Sequence, residues 1–342
     1  MTRVTDISRD AQPLECIALP IPEPSTGEIR IRVSVCGVCH TELDEIEGRA
    51  PPPSYPMVPG HQVVGVVAEK GKGARRHALG DRVGVGWIYS ACGECEWCRR
   101  GEENLCPDFL ATGRDVNGGY AEYMVVPERY AYPVPAALSD AQAAPLLCAG
   151  AIGYRSLRLT ELVNGQALGL TGFGAAAHLV LKMVRYLYPD TPVYVFARGE
   201  RERRFALELG ASWAGDTAQR PPHALQAIID TTPAWKPAVE ALANLLPGGR
   251  LVINAIRKES ADQDCLLQLD YPQHLWMEKE IKSVANVTRR DITEFLRLAA
   301  RSALVPEHQV FAFAEANLAL TELKHGEVRG AKVLAVADDA RV

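Results

Sequence analysis

At 342 residues the chain is long enough for two domains, each with its own hydrophobic core. Its composition, 47% hydrophobic and 23% charged, is typical of a globular protein, and a net charge of −5 argues against a nucleic-acid or membrane partner. The N-terminus lacks the apolar stretch of a secretory signal and no apolar run approaches the ~18 residues of a membrane span, so we expect a cytoplasmic protein.

Short runs rich in β-branched residues, separated by Gly and Pro, occupy the chain from Ile29 to about Val134. The clearest runs are EIRIRVSV, GHQVVGVVAEKG, GDRVGVG and AEYMVVP. Several short strands separated by turn signals predict an all-β module in this region.

Near residue 150 the pattern changes to apolar runs that alternate with helical segments. The apolar runs are ALGLT, PVYVFA, LQAIID, GRLVIN and IKSVAN, and the helical segments between them include ERERRFALELGA and PAVEALANLL. This alternation predicts βαβ units and a parallel sheet, hence an α/β protein. An amphipathic helix, DITEFLRLAARSAL, and a short strand, AKVLAV, are predicted after them.

The stretch CGVCHTE (residues 36–42) contains two cysteines separated by two residues, then a histidine, a hydroxyl and an acid. A C-x-x-C pair can be a redox dithiol, half of a zinc clamp, or one ligand beside a bystander. Cys39, His61 and Cys148 could supply three zinc ligands and leave an open fourth position for chemistry. Spacing alone does not select them, because a lone cysteine in an apolar segment is more often a small core residue.

A second group of cysteines lies within one short segment, CGECEWCRRGEENLC. Its members are Cys92, Cys95, Cys98 and Cys106, at C-x2-C-x2-C-x7-C spacing. Four thiolates in so short a loop can close a tetrahedron around Zn²⁺, the signature of a structural site. The alternatives, unrelated thiols or two disulfides, do not need this spacing in a reducing compartment.

A glycine-rich turn joins the predicted strand ALGLT to a predicted helix. It carries Gly172, Gly174 and Ala177 in a G-x-G-x-x-A pattern, with Phe173 and Ala175 between them. Glycines let the backbone approach a pyrophosphate, and the helix N-terminus attracts its charge. Because the turn lies between a strand and a helix and a second strand follows, it predicts a dinucleotide site.

Taken together, CGVCHTE, PGHQVVG, GDRV, the four-cysteine loop, APLLCAG and GFG resemble the zinc-dependent medium-chain alcohol dehydrogenases, in the style of the bacterial and cinnamyl types. The resemblance covers nearly the whole chain. It implies a GroES-like, β-rich catalytic domain at residues 1–150 and a doubly wound Rossmann domain at 151–288. It further implies a C-terminal segment at 289–342 that returns to the catalytic domain.

The resemblance also implies two Zn²⁺ per chain and a nicotinamide cofactor. The catalytic zinc would be held by Cys39, His61 and Cys148, and Cys36 would be a bystander in the core. The implied reaction is hydride transfer between the cofactor and a small-molecule primary alcohol or aldehyde, aliphatic or aromatic. Relatives assemble as homodimers or homotetramers, often through the last strand of the parallel sheet.

Four residues near the catalytic ligands receive roles from the resemblance. The Thr41 hydroxyl would hydrogen-bond the substrate oxygen and pass its proton on, and Asp44 stands where many relatives have the histidine that ends this relay. His40 matches a position that contacts the cofactor pyrophosphate, although a solvated histidine is an equal alternative. Glu42 replaces the usual Asp that fixes the tautomer of the histidine ligand.

Two departures affect the rate and pH profile more than the reaction type. Gln62 stands where many relatives have a glutamate behind the zinc, and an amide supplies no charge. A carboxylate such as Asp44 is a weaker proton acceptor at neutral pH than an imidazole, so the relay would end there or in water.

The end of the second parallel strand bears on the choice of cofactor. NAD enzymes usually place Asp or Glu there, whereas an arginine suits a 2′-phosphate. Here Ala197 occupies the acidic position and Arg198 follows it, so NADP(H) is favoured. NAD(H) stays possible, because Glu200 could bind the adenosine ribose.

A further departure is Ala331, where many relatives have an arginine that contacts pyrophosphate. Arg289 and Arg290 are candidates for that role. For the substrate pocket the candidates are Trp87, Leu110 and Ile256.

Three alternatives differ in their predicted metal content. A specialised biosynthetic carbonyl reductase of the same superfamily would keep the zinc sites, and a quinone-reductase relative would have none. A zinc-ribbon binding module would use only the four-cysteine loop, but the acidic balance and the nucleotide-binding half argue against it.

Overall fold

The computed structural model describes residues 1–326, 329–337 and 340. By its internal contacts the chain divides into two compact units. The first unit comprises Met1–Ala151 and Asn286–Val342, and the second comprises Ile152–Ala285. Among the described residues, no helix has the length and apolar character needed to cross a bilayer.

The strands, numbered along the chain, are β1 (Glu28–Val38), β2 (Val63–Lys70), β3 (Arg82–Val85), β4 (Ile88–Ser90), β5 (Leu110–Ala111), β6 (Tyr123–Pro127), β7 (Ala131–Pro133), β8 (Leu168–Thr171), β9 (Val193–Phe196), β10 (Trp213–Gly215), β11 (Leu225–Asp230), β12 (Leu245–Ile253), β13 (Glu280–Ser283), β14 (His308–Ala312) and β15 (Ala331–Ala335).

The α-helices are α1 (His40–Ile46), α2 (Glu96–Arg99), α3 (Asp140–Ala143), α4 (Ala149–Leu159), α5 (Ala175–Leu187), α6 (Glu200–Glu208), α7 (Lys236–Leu242), α8 (Tyr271–His274), α9 (Arg289–Arg301) and α10 (Ala316–Lys324). Short 3-10 helices lie at Glu103–Leu105, Glu128–Tyr130, Ala144–Leu147, Gln263–Gln268 and Phe313–Glu315.

The first unit is built on a seven-stranded sheet in the order β14-β15-β1-β2-β3-β7, with β6 also paired to β1. Its central strand, β1, alternates buried and half-buried residues at its start and is buried on both faces at its end. In the antiparallel β1–β2 pair, Cys36 lies opposite Val63. The end of β1, next to Cys39, therefore meets the start of β2, next to His61.

The second unit contains a six-stranded sheet in the order β10-β9-β8-β11-β12-β13. Every pair in it is parallel. Counted from β8, this is the 3-2-1-4-5-6 order of the doubly wound dinucleotide fold. Its central strands β8 and β9 are continuously buried, as strands covered on both faces must be. The predicted parallel sheet and α/β fold class are confirmed.

The structure differs from three of the sequence-based predictions, and it adds β10, β14, α4 and α10, which the sequence did not predict. Helices α1 and α2 interrupt the region predicted to be all-β, because each is a short polar turn without a long apolar period. Helix α7 ends at Leu242, and Leu245 already pairs in β12. Helix α9 begins at Arg289, where Thr288 and Asp291 form a capping box.

Candidate metal and cofactor sites

The first candidate site brings together Cys39, His61 and Cys148, whose ligand-capable atoms all lie within 4.8 Å of one another. The two sulfur atoms are 4.0 Å apart. Two thiolates bonded to one tetrahedral zinc at about 2.3 Å would lie about 3.8 Å apart. The observed separation therefore suits a shared ion.

Each of these three residues lies at the end of a regular element. Cys39 is the N-cap of α1, with extended backbone directly after β1. His61 lies just before β2, and Cys148 follows the short helix Ala144–Leu147. A Cβ at Gly86 would approach the carbonyl oxygen of Leu147 at 3.0 Å, so the segment after β3 packs tightly beside Cys148.

The hydrogen bonds of His61 leave one ring nitrogen for a metal. Its Nδ1 lies 2.5 Å from Glu42 Oε1, and Glu42 Oε2 accepts the backbone N–H of Cys39 at 2.8 Å. The buried Nε2 has no hydrogen-bond partner among the described residues. A histidine whose Nδ1–H is held by a carboxylate presents a basic Nε2, the arrangement of a metal ligand. The donor set thus fits a zinc ion.

The charges at this cluster are strongly coupled. A hydrogen bond from Cys148 lowers the pKa of Cys39 well below that of an ordinary thiol, and the same contact raises the pKa of Cys148. Burial opposes a charge on His61, but the Glu42 carboxylate and Cys39 outweigh it and raise the pKa of His61. Burial raises the pKa of Glu42. Such excess negative charge is what a bound cation neutralises.

Helix α1 carries the other predicted residues of this motif. The Thr41 hydroxyl lies 3.6 Å from Cys39 Sγ, next to the cluster, whereas His40 is exposed. Asp44 is buried and its carboxylate accepts a hydrogen bond from Arg49. Arg49 also pairs with Glu47, so two acids share this guanidinium.

Gln62 and Cys36 pack against β1 and its neighbours. The Gln62 side chain is buried so close to Gly37 that a Cβ at Gly37 would lie 2.8 Å from its amide oxygen. Cys36 is fully buried and belongs to neither group of clustered ligands. Burial raises its pKa well above that of an ordinary thiol, as expected for a core cysteine.

The second cluster comprises the four cysteines of the loop, with Cys92 Sγ 3.9 Å from Cys98 Sγ and 3.5 Å from Cys106 Sγ. All four ligand-capable atoms lie within 4.8 Å of one another. Backbone N–H groups of Gly93 and Cys95 point at the sulfurs of Cys98 and Cys92, at 3.3 Å each. This set of four clustered sulfurs with its backbone donors fits a structural zinc.

In the second unit, the predicted glycine turn lies between β8 and α5. Gly172 has φ +77°, the left-handed conformation that favours glycine, and Gly174 is the N-cap of α5. A Cβ added at Gly174 would meet nothing within 4 Å, so the backbone there is open. Phe173 and Ala177 are buried, and Ala175 starts the helix. The turn offers backbone N–H groups at the N-terminus of a 13-residue helix.

Beside this turn, strand β9 ends at Phe196 and is followed by buried Ala197 and exposed Arg198. No hydrogen bond or ion pair of the Arg198 side chain is found within the described ranges. Arg203 instead donates to the carbonyl oxygens of Ala197 and Arg198, at 2.8 and 2.9 Å. Its role is therefore to shape the loop that presents Arg198.

Of the predicted pocket residues, Trp87 directly follows Gly86, which lies beside the Leu147 carbonyl oxygen that precedes Cys148. Its ring packs on Phe109 with centroids 5.3 Å apart, and the Arg114 guanidinium lies 5.5 Å from its centroid. Leu110 and Ile256 are 40% and 53% exposed. Both present apolar surface to solvent.

The predicted phosphate ligands Arg289 and Arg290 begin α9 in the first unit, and both have acidic partners. Glu103 Oε1 accepts the backbone N–H and the Nε–H of Arg289, at 2.9 Å each. Arg290 Nε donates to Glu294 at 2.6 Å on an exposed face. Ala331, in β15, is buried.

Sequence reasoning missed Glu45, Glu103, Asp230 and Lys258. Glu45 is 1% exposed and neither carboxylate oxygen has a hydrogen-bond partner of normal geometry among the described residues. The signal available in the sequence was its position, within the short helix that begins after the ligand Cys39. Asp230 is the last residue of the buried parallel strand β11, and strand ends of this kind mark the ligand-binding edge of such sheets. Nothing in the sequence singles out Lys258.

Residues 25–136 match the alcohol dehydrogenase GroES-like domain. A probable alcohol dehydrogenase of Mycobacterium tuberculosis is 41% identical over 332 residues, covering 96% of this chain and 94% of that protein. An alcohol dehydrogenase of Geobacillus stearothermophilus is 32% identical over 335 residues, covering 95% and 96%. The solved structure of a cinnamyl alcohol dehydrogenase from Sorghum bicolor superposes with a TM-score of 0.86 at 28% identity, over 97% of each chain.

These similarities extend over both units, so the alternative of a zinc-ribbon binding module is wrong. They agree with the β-rich first unit, the doubly wound second unit and the motifs at both clusters. The chain belongs to the medium-chain alcohol dehydrogenase family and is an oxidoreductase that acts on alcohols.

Proposed function

We propose that this alcohol dehydrogenase is zinc-dependent and interconverts primary alcohols and aldehydes at the cluster of Cys39, His61 and Cys148. The observation that carries the proposal is the orientation of His61. Its Nδ1 is held by Glu42, and its unpartnered Nε2 lies with two cysteine sulfurs in one group. Three protein donors leave a fourth position for substrate, as catalytic zinc sites require.

When bound, zinc would polarise the substrate oxygen as a Lewis acid and the nicotinamide would carry the hydride. The protein's own groups supply orientation and proton transfer. Glu42 fixes the ring of His61 and also accepts the N–H of Cys39, so one carboxylate positions two ligands. The Thr41 hydroxyl, beside Cys39, is the group that exchanges a proton with the substrate oxygen.

Beyond Thr41, we propose that Asp44 ends the proton relay, with Arg49 orienting its carboxylate. This arrangement differs from a relay that ends in a histidine, because its last group is a carboxylate that already accepts a hydrogen bond from Arg49. Asp44→Asn would slow turnover less than Thr41→Val in single-turnover kinetics.

We propose NADP(H) as the preferred cofactor, on the basis of Arg198. Ala197 at the end of β9 offers no carboxylate for a ribose hydroxyl, and Arg198 is exposed without a partner of its own among the described residues. The test is kcat/KM with NADPH and with NADH for wild type and for Arg198→Ala. We expect wild type to favour NADPH and the variant to lose that preference by about tenfold or more. Equal use of NADH by wild type would contradict the proposal.

We propose a second, structural zinc in the four-cysteine loop. Its thiols are free, their sulfurs cluster, and backbone N–H groups already point at two of them. Metal analysis should give about two zinc ions per chain. Clustered free thiols of this kind persist in a reducing compartment, which also supports a cytoplasmic location.

For the substrate, we propose an aliphatic or aromatic primary alcohol or aldehyde, because Trp87, which packs on Phe109, directly follows Gly86, and Gly86 lies beside the Leu147 carbonyl oxygen that precedes Cys148. A panel of aldehydes assayed with NADPH, with and without zinc chelation, tests this. Turnover that survives complete removal of zinc would contradict the zinc-dependent mechanism.

A homodimer or a higher homo-oligomer is proposed from the edge strand β13. All four of its residues are exposed, and Ile281 is 48% exposed on a strand with one pairing side unused in the described part of the chain. An exposed apolar edge strand is a site for pairing with a second copy. Sedimentation of Ile281→Lys against wild type tests it.

A further inference from the structure

The segment from the last residue of β11 to the first residue of α7, residues 230–236, is hydrogen-bonded to the residue that precedes the glycine turn. In the parallel β8–β11 pair, Asp230 lies opposite Thr171, the residue before Gly172. Thr171 Oγ1 donates to Asp230 Oδ1 at 2.6 Å. The backbone N–H and the hydroxyl of Thr231 each donate to the carbonyl oxygen of Thr171 at 2.9 Å. We call residues 230–236 the β11–α7 loop.

The contact between this loop and the turn leaves no spare room. A Cβ at Gly172 would lie 2.9 Å from Thr231 Oγ1 and 3.0 Å from Thr232 Cγ2. Gly172, with φ +77°, therefore packs directly against side chains of the β11–α7 loop. A shift of the loop must move the turn.

Lys258 holds the β11–α7 loop from the other side. Its Nζ donates to Asp230 Oδ2, to the carbonyl oxygen of Thr232 at 2.9 Å and to that of Ala234 at 2.7 Å. All three ammonium protons therefore have acceptors. The side chains of Lys258 and Asp230 are only 6% and 0% exposed.

The residues after Lys258 complete the attachment. The N–H of Glu259 donates to the carbonyl oxygen of Pro233 at 2.8 Å. The Asp262 carboxylate accepts the N–H groups of Trp235 and Lys236, at 3.0 and 2.8 Å. Residues 258–262, here called the clasp, thus bind the β11–α7 loop along its length.

A buried, fully hydrogen-bonded ion pair is a better device for selecting one conformation than for adding stability. The Lys258–Asp230 pair lies at the carboxyl edge of the sheet, where doubly wound folds bind their ligands. Neither residue belongs to the glycine turn itself. Lys258 acts on the turn indirectly, because it bonds Asp230, and Asp230 bonds Thr171, the residue before the turn.

We propose that Lys258 and Asp230 are positioning residues for the nicotinamide cofactor. The clasp holds the β11–α7 loop against the glycine turn, and this sets the affinity of the turn for the dinucleotide. The inference rests on the proposed function, in that the turn must bind a nicotinamide dinucleotide.

The test compares Lys258→Met with Lys279→Met in the complete, zinc-loaded enzyme. Lys279 is a matched control, because its Nζ also donates to two backbone carbonyl oxygens of the second unit, those of Leu242 and Gln273. Leu242 is the last residue of α7, so this lysine acts away from the turn. The readouts are the Kd for NADPH and NADH by fluorescence titration, and Tm.

We expect Lys258→Met to raise the Kd of the cofactor by at least about tenfold, with kcat at saturating cofactor within about threefold of wild type. Lys279→Met should lower Tm with Kd within about twofold of wild type. An unchanged Kd in Lys258→Met, or an equal loss of affinity in Lys279→Met, would overturn the positioning role.

Thr231 provides a second measurement that leaves the buried charges paired, in case Lys258→Met does not fold. Thr231→Ala removes the hydroxyl that contacts Gly172 and Thr171, and we expect a Kd about threefold to tenfold higher. Thr231→Ser keeps the hydroxyl and should restore the affinity. Equal affinity in Thr231→Ala and wild type would also count against the inference.

The outcomes separate the inference from the proposed function. Wild-type protein that binds neither NADPH nor NADH would overturn both. Wild-type protein that binds one of them, with Lys258→Met and Thr231→Ala binding it equally well, would overturn the positioning role alone.

Discussion

The two cysteine-containing clusters of the first unit have similar ligands but draw them from different parts of the chain. Cys92, Cys95, Cys98 and Cys106 come from one short loop and supply four sulfurs. In contrast, Cys39, His61 and Cys148 come from three separate segments that the β1–β2 pair and the Ala144–Leu147 helix bring together. The loop cluster depends on local spacing, and the other depends on the fold.

This difference separates stability from chemistry. Four protein donors complete the coordination of a zinc ion, whereas three leave a position for a substrate. Backbone N–H groups donate hydrogen bonds to sulfurs of the four-cysteine loop, whereas the buried acids Glu42 and Glu45 lie near the open cluster. Loss of a ligand should therefore lower stability at the four-cysteine loop and activity at the cluster of Cys39, His61 and Cys148.

The largest effect is expected for Cys39→Ser. It removes a ligand of the open cluster, and even loss of a ligand's hydrogen-bond partner costs about 10–100-fold, so kcat/KM should fall by more than about 100-fold. Metal content should fall from about two to about one zinc per chain, with far-UV circular dichroism unchanged. A variant that keeps both zinc ions and normal turnover would remove Cys39 from the site.

A smaller loss is expected for Glu42→Gln, which weakens the support of His61 without removing a ligand. The amide offers one acceptor where the carboxylate serves both His61 and Cys39, so activity or zinc affinity should fall about 10–100-fold. Glu42→Asp is the matched control, because it keeps the charge and shortens the side chain. Zinc titration and kcat/KM for both variants would show whether charge or length matters.

Cys98→Ser should separate the loop from the chemistry. Burial raises the pKa of Cys98 to about 12, and backbone N–H groups lower that of Cys92 to about 7, so zinc must displace protons from the loop. We expect the variant to lose one zinc and about 10 °C in Tm, with kcat within a few-fold of wild type. Loop affinity for zinc should rise with pH, measured by competition with a chelator. A loss of kcat as large as that of Cys39→Ser would erase the distinction between the clusters.

The sequence predicts features that depend on neighbouring residues better than it predicts contacts between residues far apart in the chain. The four-cysteine loop and the turn at Gly172 are local patterns, and the parallel sheet follows from alternating segments, so each was predicted from spacing and order. Helix α1 was missed, because its seven residues, HTELDEI, contain no extended apolar period. The open cluster required the resemblance to a family, since nothing in the spacing of Cys39, His61 and Cys148 links them.

Pairings between distant residues were beyond the sequence altogether. Glu103 lies in the loop of cysteines and Arg289 lies at the start of α9, and only the folded first unit joins them. Lys258 and Asp230 are joined in the same way. Charged residues of this kind read as solvated surface in a sequence, because burial and partner are properties of the tertiary structure.

The smallest expected effect concerns Glu45, the buried acid near the open cluster that has no hydrogen-bond partner of normal geometry in the part of the chain described. Burial, together with the nearby Glu42 charge, raises its pKa well above that of an ordinary glutamate. The folded state therefore prefers the protonated acid. As pH rises from the unfolded-state pKa towards the folded-state pKa, ionisation costs about 1.4 kcal/mol of stability for each unit by which the pKa is raised.

Glu45→Gln removes this penalty, so the variant should match wild type in Tm near pH 4.5 and exceed it increasingly towards pH 8. The matched control is Glu23→Gln, the same substitution at an exposed acid of the same unit. Thermal melts of the three zinc-free proteins across this pH range provide the measurement, because a bound zinc ion would itself offset the charge of the acids. A constant difference between Glu45→Gln and wild type at every pH would mean that Glu45 is ionised and paired in the folded, metal-free protein.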